Sequence, residues 1–392
     1  MTNITYTDAQ IRFLIDKRSK DVDWTAITAE YNKFFNESKT KKSLQMAFDK
    51  YKDMIGTDGI SLQKIMENRR LTKSKSNVSK ENRLIIDYLQ GQSDLIESLK
   101  KTVDQMKFTK PTVIKVEKSK NKKKMTQEIM LTDVHYGKKT KSVNLSVIRQ
   151  RVRKAADEAL KEQERYQKSY NLEKVILFFG GDMLENADFH GKESTKCSEF
   201  GTNEQIVNAI VSLYEDMLVP IISTGRQIDV IAVTGNHDRD DEKKTFHYPG
   251  LYHKTYIIYT MLEYMCKLSG VKNIKFHIPE GVYYVHEVYG DTVLYEHLDN
   301  VDGGLQRKSM LYHMAKRGGQ TGKIIKFMRG GHYHELTIFG RGTVIIGPSI
   351  PGNDSYSDIK GFSSEGGIVI NYYVENSERP DSYYHSFPVY LE

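Results

Sequence analysis

Thiols are nearly missing from this chain. With only Cys197 and Cys266 among 392 residues, neither a disulfide framework nor a thiolate zinc cluster is available, so any metal must be held by oxygen and imidazole. Long apolar runs are missing too, and none approaches the roughly 20 residues that span a bilayer. The opening residues, Met-Thr-Asn-Ile-Thr-Tyr-Thr-Asp, lack the basic-then-apolar pattern of an export signal. The expectation is an intracellular, cytoplasmic protein with no membrane partner.

Acidic residues are under-represented in one third only. Residues 1–124 carry 27 Lys+Arg against 16 Asp+Glu, a net +11, whereas the remainder carries 31 against 35, a net −4. The basic excess belongs to the N-terminal third, as in a basic arm attached to an enzyme, and nucleic acid is the commonest partner of such an arm. A solvated basic linker is the plain alternative. The length suits more than one domain and a large buried core.

From Tyr6 to about Ile55, apolar residues recur at spacings of three and four: Ile11, Leu14 and Ile15, then Trp24, Ile27 and Tyr31, then Leu44, Phe48 and Tyr51. This predicts three short helices, with Thr7-Asp8, Asp23 and Thr40 where caps belong. The pattern resembles a Myb/SANT-like three-helix domain over residues 1–55, its spaced aromatics falling at Tyr6, Trp24 and Tyr51. The resemblance implies DNA binding through the third helix, on or near which lie Lys39, Lys41, Lys42, Gln45 and Lys50. Such domains also bind proteins, which leaves a partner protein open.

Residues 56–124 read as a basic helical linker. Leu71 to Lys80 is rich in Lys, Ser and Asn, as a flexible link should be. Beyond it, Ile85, Leu89, Ile96, Leu99, Val103 and Met106 form a stripe close to heptad spacing, as in a coiled coil or a docking helix, which leaves homo-oligomerisation through 80–107 open. The basic run Lys115 to Lys124 immediately precedes the first strand expected beyond it and is expected to meet phosphates near the active site.

Residues 125–392 carry the chemistry. Five segments hold metal-ligating side chains: Asp133-Val-His135, Gly181-Asp182, Gly235-Asn236-His237-Asp238, the lone His297, and Gly331-His332-Tyr-His334. Each follows a run that reads as a buried strand: Gln127 to Thr132, Lys174 to Phe179, Ile228 to Thr234, Thr292 to Tyr295 and Ile324 to Met328. The ligands should therefore converge at strand ends, where open α/β sheets build their sites. Oxygen and imidazole donors suit Mn, Fe, Zn or similar divalent ions, and the clustered histidines disfavour an all-Mg or Ca site.

The motif order, D-x-H, G-D, G-N-H-D, an isolated His and G-H-x-H, is similar to that of the calcineurin-like metallophosphoesterases. The resemblance implies an α/β fold of four αββα layers, preceded here by the small three-helix domain and the helical linker. It also implies two divalent metal ions, manganese first, with Fe, Zn, Ni or Mg as alternatives. Asp133, His135 and His334 would hold one ion and Asn236, His297 and His332 the other, with Asp182 bridging. His237 would serve the leaving group and Asp238 would orient it. The implied reaction is hydrolysis by metal-activated hydroxide without a covalent intermediate.

The substrate is read from branch-specific detail. Gly-Asp-Met-Leu-Glu-Asn lacks the continuation of the protein Ser/Thr phosphatases, and Glu185 stands where purple acid phosphatases place a metal-binding tyrosine. Gly-Asn-His-Asp and Gly-His-Tyr-His-Glu resemble the DNA-repair exonuclease branch, although the second motif departs from it. The expectation is a DNA nuclease of a processing or repair pathway, the compact fusion suiting a phage-borne protein. Alternatives are a phosphatase or small-molecule phosphodiesterase, and a DNA-binding regulatory protein with a vestigial site. Asn186 to Thr202 and Arg239 to Tyr256 are candidate substrate loops. The second offers Phe246, Tyr248 and Tyr252 for base stacking beside Arg239, Lys243 and Lys244.

Overall fold

The structure, a computed structural model, describes residues 6–51, 93–94, 96–101, 103–104, 107–116, 119, 121–186, 197–239, 249–353 and 365–392. Two compact units divide at Gly91/Gln92.

The first unit holds three helices, α1 (Asp8–Ser19), α2 (Trp24–Phe35) and α3 (Lys41–Tyr51). Their starts follow from side chains that satisfy the orphan N–H groups of a first turn. Thr7 and Gln10 form a reciprocal capping box, Asp23 accepts from Thr25 N at 2.6 Å and Thr40 from Ser43 N at 3.2 Å. Tyr6, Ile11, Leu14, Ile27, Tyr31, Leu44 and Ala47 make the core, with Trp24 packed edge-on against Phe48. Lys41, Lys42 and Lys50 remain exposed on α3. The Tyr51 side chain lies outside the described residues.

The second unit is a sandwich of two sheets with helices on both outer faces. Sheet one has the order β11-β10-β1-β2-β3-β4, made of β1 (Lys124–Leu131), β2 (Asn171–Gly180), β3 (Gln227–Val233), β4 (Ile274–His277), β10 (Gly367–Val374) and β11 (Tyr383–Tyr390). Strands β1 to β4 are parallel and β10 and β11 close the edge antiparallel. Sheet two has the order β5-β6-β7-β9-β8, made of β5 (Tyr283–Val288), β6 (Asp291–Glu296), β7 (Phe327–Gly330), β8 (Thr337–Phe339) and β9 (Val344–Ile346).

Alternation along the strands explains the layers, because successive side chains point to opposite faces. Val175, Leu177 and Phe179 face the outer helices, while Ile176 and Phe178 between them face the second sheet. Each such side chain, fully buried, contributes about 1.5–3 kcal/mol. The strands are apolar on both faces because both are covered. Outside sheet one lie α4 (Leu145–Tyr166), α5 (Thr202–Ser212, continued by a π-helical turn to Leu218 and a last α-helical turn to Ser223) and α6 (Lys254–Leu268). Outside sheet two, α7 (Arg307–Thr321) packs Met310 and Met314 on Leu294 and Met328. The expected four-layer α/β architecture is what the chain adopts.

Three sequence expectations change. Helix Thr202–Ser223 has 22 residues and is apolar enough to cross a membrane by length and composition, contrary to the expectation that no such run exists, and 61% of its most apolar 18-residue stretch is buried inside this fold. The last ligand-bearing strand is β7 at Phe327–Gly330, not Ile324 to Met328, and Ile324 is 91% exposed. The described part of the expected linker packs on the second unit. Val103 joins the helix-side core with Ile96 and Leu99 against it, Phe108 meets Tyr214 edge-on, and Ile114 N bonds Ser223 O. These members of the heptad-like stripe are thus covered by their own chain, while Ile85, Leu89 and Met106, like Leu71 to Lys80, lie outside the described residues.

The basic run is also displaced. Lys115 and Lys122 line a cavity of about 430 Å³ with Gln167, Asn171 and Arg226. Lys124 opens β1, whose opposite end leads to Asp133. At about 3.3 Å per residue, some 25 Å of strand separates Lys124 from the site, so the described lysines of the run lie at the far end of β1 from it.

Candidate metal centre

All five motifs sit at the carboxyl ends of parallel strands, following β1, β2, β3, β6 and β7. The connections run alongside one another. Asp133 N bonds Gly181 O, His135 N bonds Asp182 O, and Gly331 N bonds His297 O.

The local backbone is unusual. Five of the seven expected ligands, Asp133, His135, Asp182, His332 and His334, have φ between +49° and +74°, a left-handed conformation that non-glycine residues adopt only where surroundings enforce it. Two motif glycines have a separate cause. A Cβ at Gly235 would lie 2.1 Å from Asp182 Oδ1, and one at Gly331 2.2 Å from Asp133 Oδ2, so each carboxylate occupies the space a side chain would need.

Two ligand sets result. Asp133, His135 and His334 have donor atoms within 4.8 Å of one another, and so do Asp182, His297 and His332. In the first, His135 Nε2 lies 3.1 Å from His334 Nε2 and His334 Nε2 lies 3.3 Å from Asp133 Oδ1. In the second, His297 Nε2 lies 3.0 Å from Asp182 Oδ2 and 3.2 Å from Asn236 Oδ1, which brings Asn236 to the same point. Asp182 Oδ1 accepts from His237 N at 2.8 Å.

The donors fit divalent cations. The His297 Nδ1 edge faces Gly180 O at 2.8 Å; a proton there leaves the Nε2 lone pair aimed at two oxygen acceptors. An anionic Glu185 oxygen 3.0 Å from His135 Nδ1 likewise favours the proton on that nitrogen and presents Nε2 to His334. Separations of 3.0–3.3 Å suit bonds of about 2.1 Å to one ion, and without one a ring proton bridges such a contact.

Electrostatics agree with that reading. Burial holds His135 down to about 4, so the ring is neutral and able to ligate. Burial, with His297 nearby, holds His332 at about 4. Burial also opposes a charge on His297, but the Asp182 carboxylate prevails and raises it to about 10: a positive charge is wanted there, supplied by a proton when no metal is bound.

His237 and Asp238 play different parts. His237 directs Nδ1 at Glu185 O, 3.1 Å away, and its ring lies edge-on to His135 with centroids 4.9 Å apart. Asp238, expected to orient His237, gives its carboxylate to the backbone N–H groups of Gly235 at 2.7 Å, Asp182 at 2.9 Å and Leu184 at 3.4 Å. It fastens the second motif to the third. Burial and the neighbouring Asp182 push it up to about 7.

Two residues escaped the sequence reading. Glu185, read only as a departure from another branch, is buried against His135 and lies 3.8 Å from Lys138 Nζ. Burial would raise it, but His135 and Lys138 hold it down to about 2, and it forms a third cluster with His135 and His237. Asn186 donates to His237 O at 2.7 Å and Arg239 O at 2.6 Å, binding the loop after β2 to the loop after β3. Their signal was position: they directly continue Gly181-Asp182.

Of the candidate substrate loops, Phe246, Tyr248, Lys243 and Lys244 lie outside the described residues, as do 187–196. Arg239 is buried and paired with Asp299, so it holds the loop after β6 rather than facing a base. His253 and His313 stand apart from the two ligand sets. Both are buried, and His313 bonds Glu296 at 2.9 Å.

No family model and no curated protein matches this chain. Among solved structures it is similar to Vps29 from Entamoeba histolytica complexed with zinc, at 11% identity over 68% of this chain and 99% of that one, with a TM-score of 0.27. It is similar to a conserved uncharacterized protein from Streptococcus pneumoniae described as a predicted phosphoesterase, at 13% identity over 68% and 98%, TM-score 0.29. A third is Vps29 from Cryptosporidium parvum, at 11% identity over 68% and 98%, TM-score 0.30.

Proposed function

We propose that this chain is a metal-dependent phosphoesterase whose substrates are nucleic-acid phosphodiesters. The observation that carries the reading is the meeting of two ligand sets, Asp133, His135, His334 and Asn236, His297, His332, with the Asp182 carboxylate beside them at five strand ends. When bound, a pair of divalent cations supplies Lewis acidity toward phosphoryl oxygens and acidifies water enough for hydrolysis at neutral pH.

The remaining work falls to the chain. Asp182 places a negative charge where two cations would repel. His237, its Nδ1 engaged by Glu185 O, offers Nε2 to protonate the departing oxygen. Asp238 and Asn186 keep the loops in register, so that these groups meet without reorganisation. Nucleic acid as the substrate class rests on the basic excess of residues 1–124 and on exposed Lys41, Lys42 and Lys50 of α3, available for phosphate contacts.

The test is manganese-dependent hydrolysis of labelled single- and double-stranded DNA, bis-p-nitrophenyl phosphate and p-nitrophenyl phosphate by wild type, Asp182→Ala and His237→Ala. Asp182→Ala should lose metal and turnover together, and His237→Ala should keep metal and lose turnover. Retained turnover in Asp182→Ala defeats the metal chemistry. Cleavage of the monoester alone moves the assignment to a phosphatase. Replacing Lys41, Lys42 and Lys50 by Ala should flatten the salt dependence of DNA binding by up to about three counterions and leave small-diester hydrolysis unchanged.

A further inference from the structure

A second group of ligating side chains stands away from that centre. Asp229 on β3, His277 on β4 and His286 on β5 bring donor atoms within 4.8 Å of one another. Asp229 precedes Asn236 by seven residues along β3 and its continuation, about 20 Å, so the group occupies the other end of the sandwich. Alternation puts it between the layers: Ile231 and Val233, on the same face of β3 as Asp229, belong to the inter-sheet core. His277 is opposite Ile231 in the register, and His286 comes from the facing sheet.

We propose that Asp229, His277 and His286 form a site for a borderline divalent cation, zinc by donor type, that clasps one sheet to the other. His277 Nε2 lies 3.0 Å from Asp229 Oδ1 and His286 Nε2 lies 3.4 Å from Asp229 Oδ2. A tetrahedron with bonds of about 2.0–2.1 Å has edges of about 3.3 Å, so each imidazole stands about one such edge from an Asp229 oxygen, and all three donors lie within 4.8 Å of one another. The His286 Nε2 atom is buried with no hydrogen-bond partner. The Tyr284 hydroxyl lies 2.8 Å from His277 Nδ1 and orients that ring, as the outer partners of metal-ligating histidines do. Two imidazoles and one carboxylate are a zinc donor set, with water as fourth ligand.

One neighbour competes. Lys174 Nζ sits 2.5 Å from Asp229 Oδ2, but its side chain is 37% exposed and can turn to solvent when a cation arrives. The ammonium and the metal are therefore alternative partners of one carboxylate, and removing the ammonium should favour the metal.

The test uses the full chain, stripped with chelator and titrated with zinc under equilibrium dialysis. Wild type should bind one equivalent more than His286→Gln, and Lys174→Met should bind that equivalent more tightly than wild type. In the Asp182→Ala background, saturating zinc should raise the melting midpoint by about 5 °C, and the added His286→Gln should remove the shift. Cobalt in the Asp182→Ala protein should give the absorption of a four-coordinate site, lost with His286→Gln. Equal stoichiometry in wild type and His286→Gln overturns the site, as does unchanged zinc affinity in Lys174→Met; Asp229 would then be the centre of an ion-pair cluster only. Because Lys174→Met is expected to gain affinity, a folding defect in His286→Gln leaves the proposal testable.

Discussion

Two buried polar clusters in the second unit are built on opposite principles. Between the sheets, fully buried Glu128 on β1 meets fully buried Arg329 on β7, with Arg329 Nε 2.9 Å from Glu128 Oε2. Tyr373 donates to the same oxygen at 3.1 Å, Asn371 at 2.5 Å, and Tyr295 donates to Oε1. Arg329 Nη1 goes to Met328 O and Gly342 O. Both Glu128 oxygens and the Arg329 guanidinium are met by partners of opposite kind, and Asn371 Oδ1 alone among the named groups has none. At the strand ends, by contrast, His135 Nε2 faces His334 Nε2 and His297 Nε2 faces two oxygens. The first cluster is closed by its own members. The second is complementary to charge the chain does not contain and opens toward solvent at His334, whose side chain is 27% exposed; that difference separates a polar core from a binding site.

The largest expected effect breaks the closed cluster. Arg329→Met leaves the Glu128 carboxylate buried without its cation and should cost about 3–5 kcal/mol of unfolding free energy, read from denaturant midpoints. Adding Glu128→Leu should recover most of that loss, because a buried ion pair and a well-packed apolar pair are of similar worth. A double variant no better than the single would mean that Glu128 is tied to something other than its measured partners.

The same contrast explains what the sequence discloses. Candidate ligands at Asp133, Asp182, Asn236 and His332 are legible because each is written into a short motif after an apolar run, and the run alone places it at a strand end; the isolated His297 is legible only from its place in the motif order. Glu128 and Arg329 are not, since a charged residue within a strand says nothing of a partner 201 positions away. That blindness moved β7: the apolar pair Ile324-Ile325 reads as strand and Arg329-Gly330 as its end, whereas Glu128 draws Arg329 inside and Ile324 stays in water. The burial of the segment after 92 was hidden for a related reason. Its stripe of Ile96, Leu99 and Val103 shows that an apolar face exists, and periodicity cannot tell whether the cover is a second copy or the chain's own helices.

A smaller effect is expected at the open cluster. Glu185→Gln keeps the shape beside His135 and removes the charge that favours the Nδ1–H tautomer. Metal affinity should fall about 10–100-fold, measured by manganese or zinc competition, on top of a modest loss of apo stability from the carboxylate that His135 and Lys138 hold down to about 2. Loss of apo stability with unchanged affinity would make this end of the sheets a closed cluster like the other.

The smallest effect sharpens the comparison. Tyr295→Phe removes one donor from Glu128 and leaves Arg329, Tyr373 and Asn371 in place. Net loss of a single hydrogen bond is about 1 kcal/mol, and more for one made to a charge, so the thermal midpoint should fall by about 2–4 °C for a unit of this size. Metal stoichiometry should not change, because Tyr295 faces the inter-sheet core and not the strand ends. A fall comparable to that of Arg329→Met would show that Glu128 cannot stay charged on three donors. The inter-sheet cluster would then be as dependent on each single partner as the metal centre is on its ions, and the distinction between closed and open would fail.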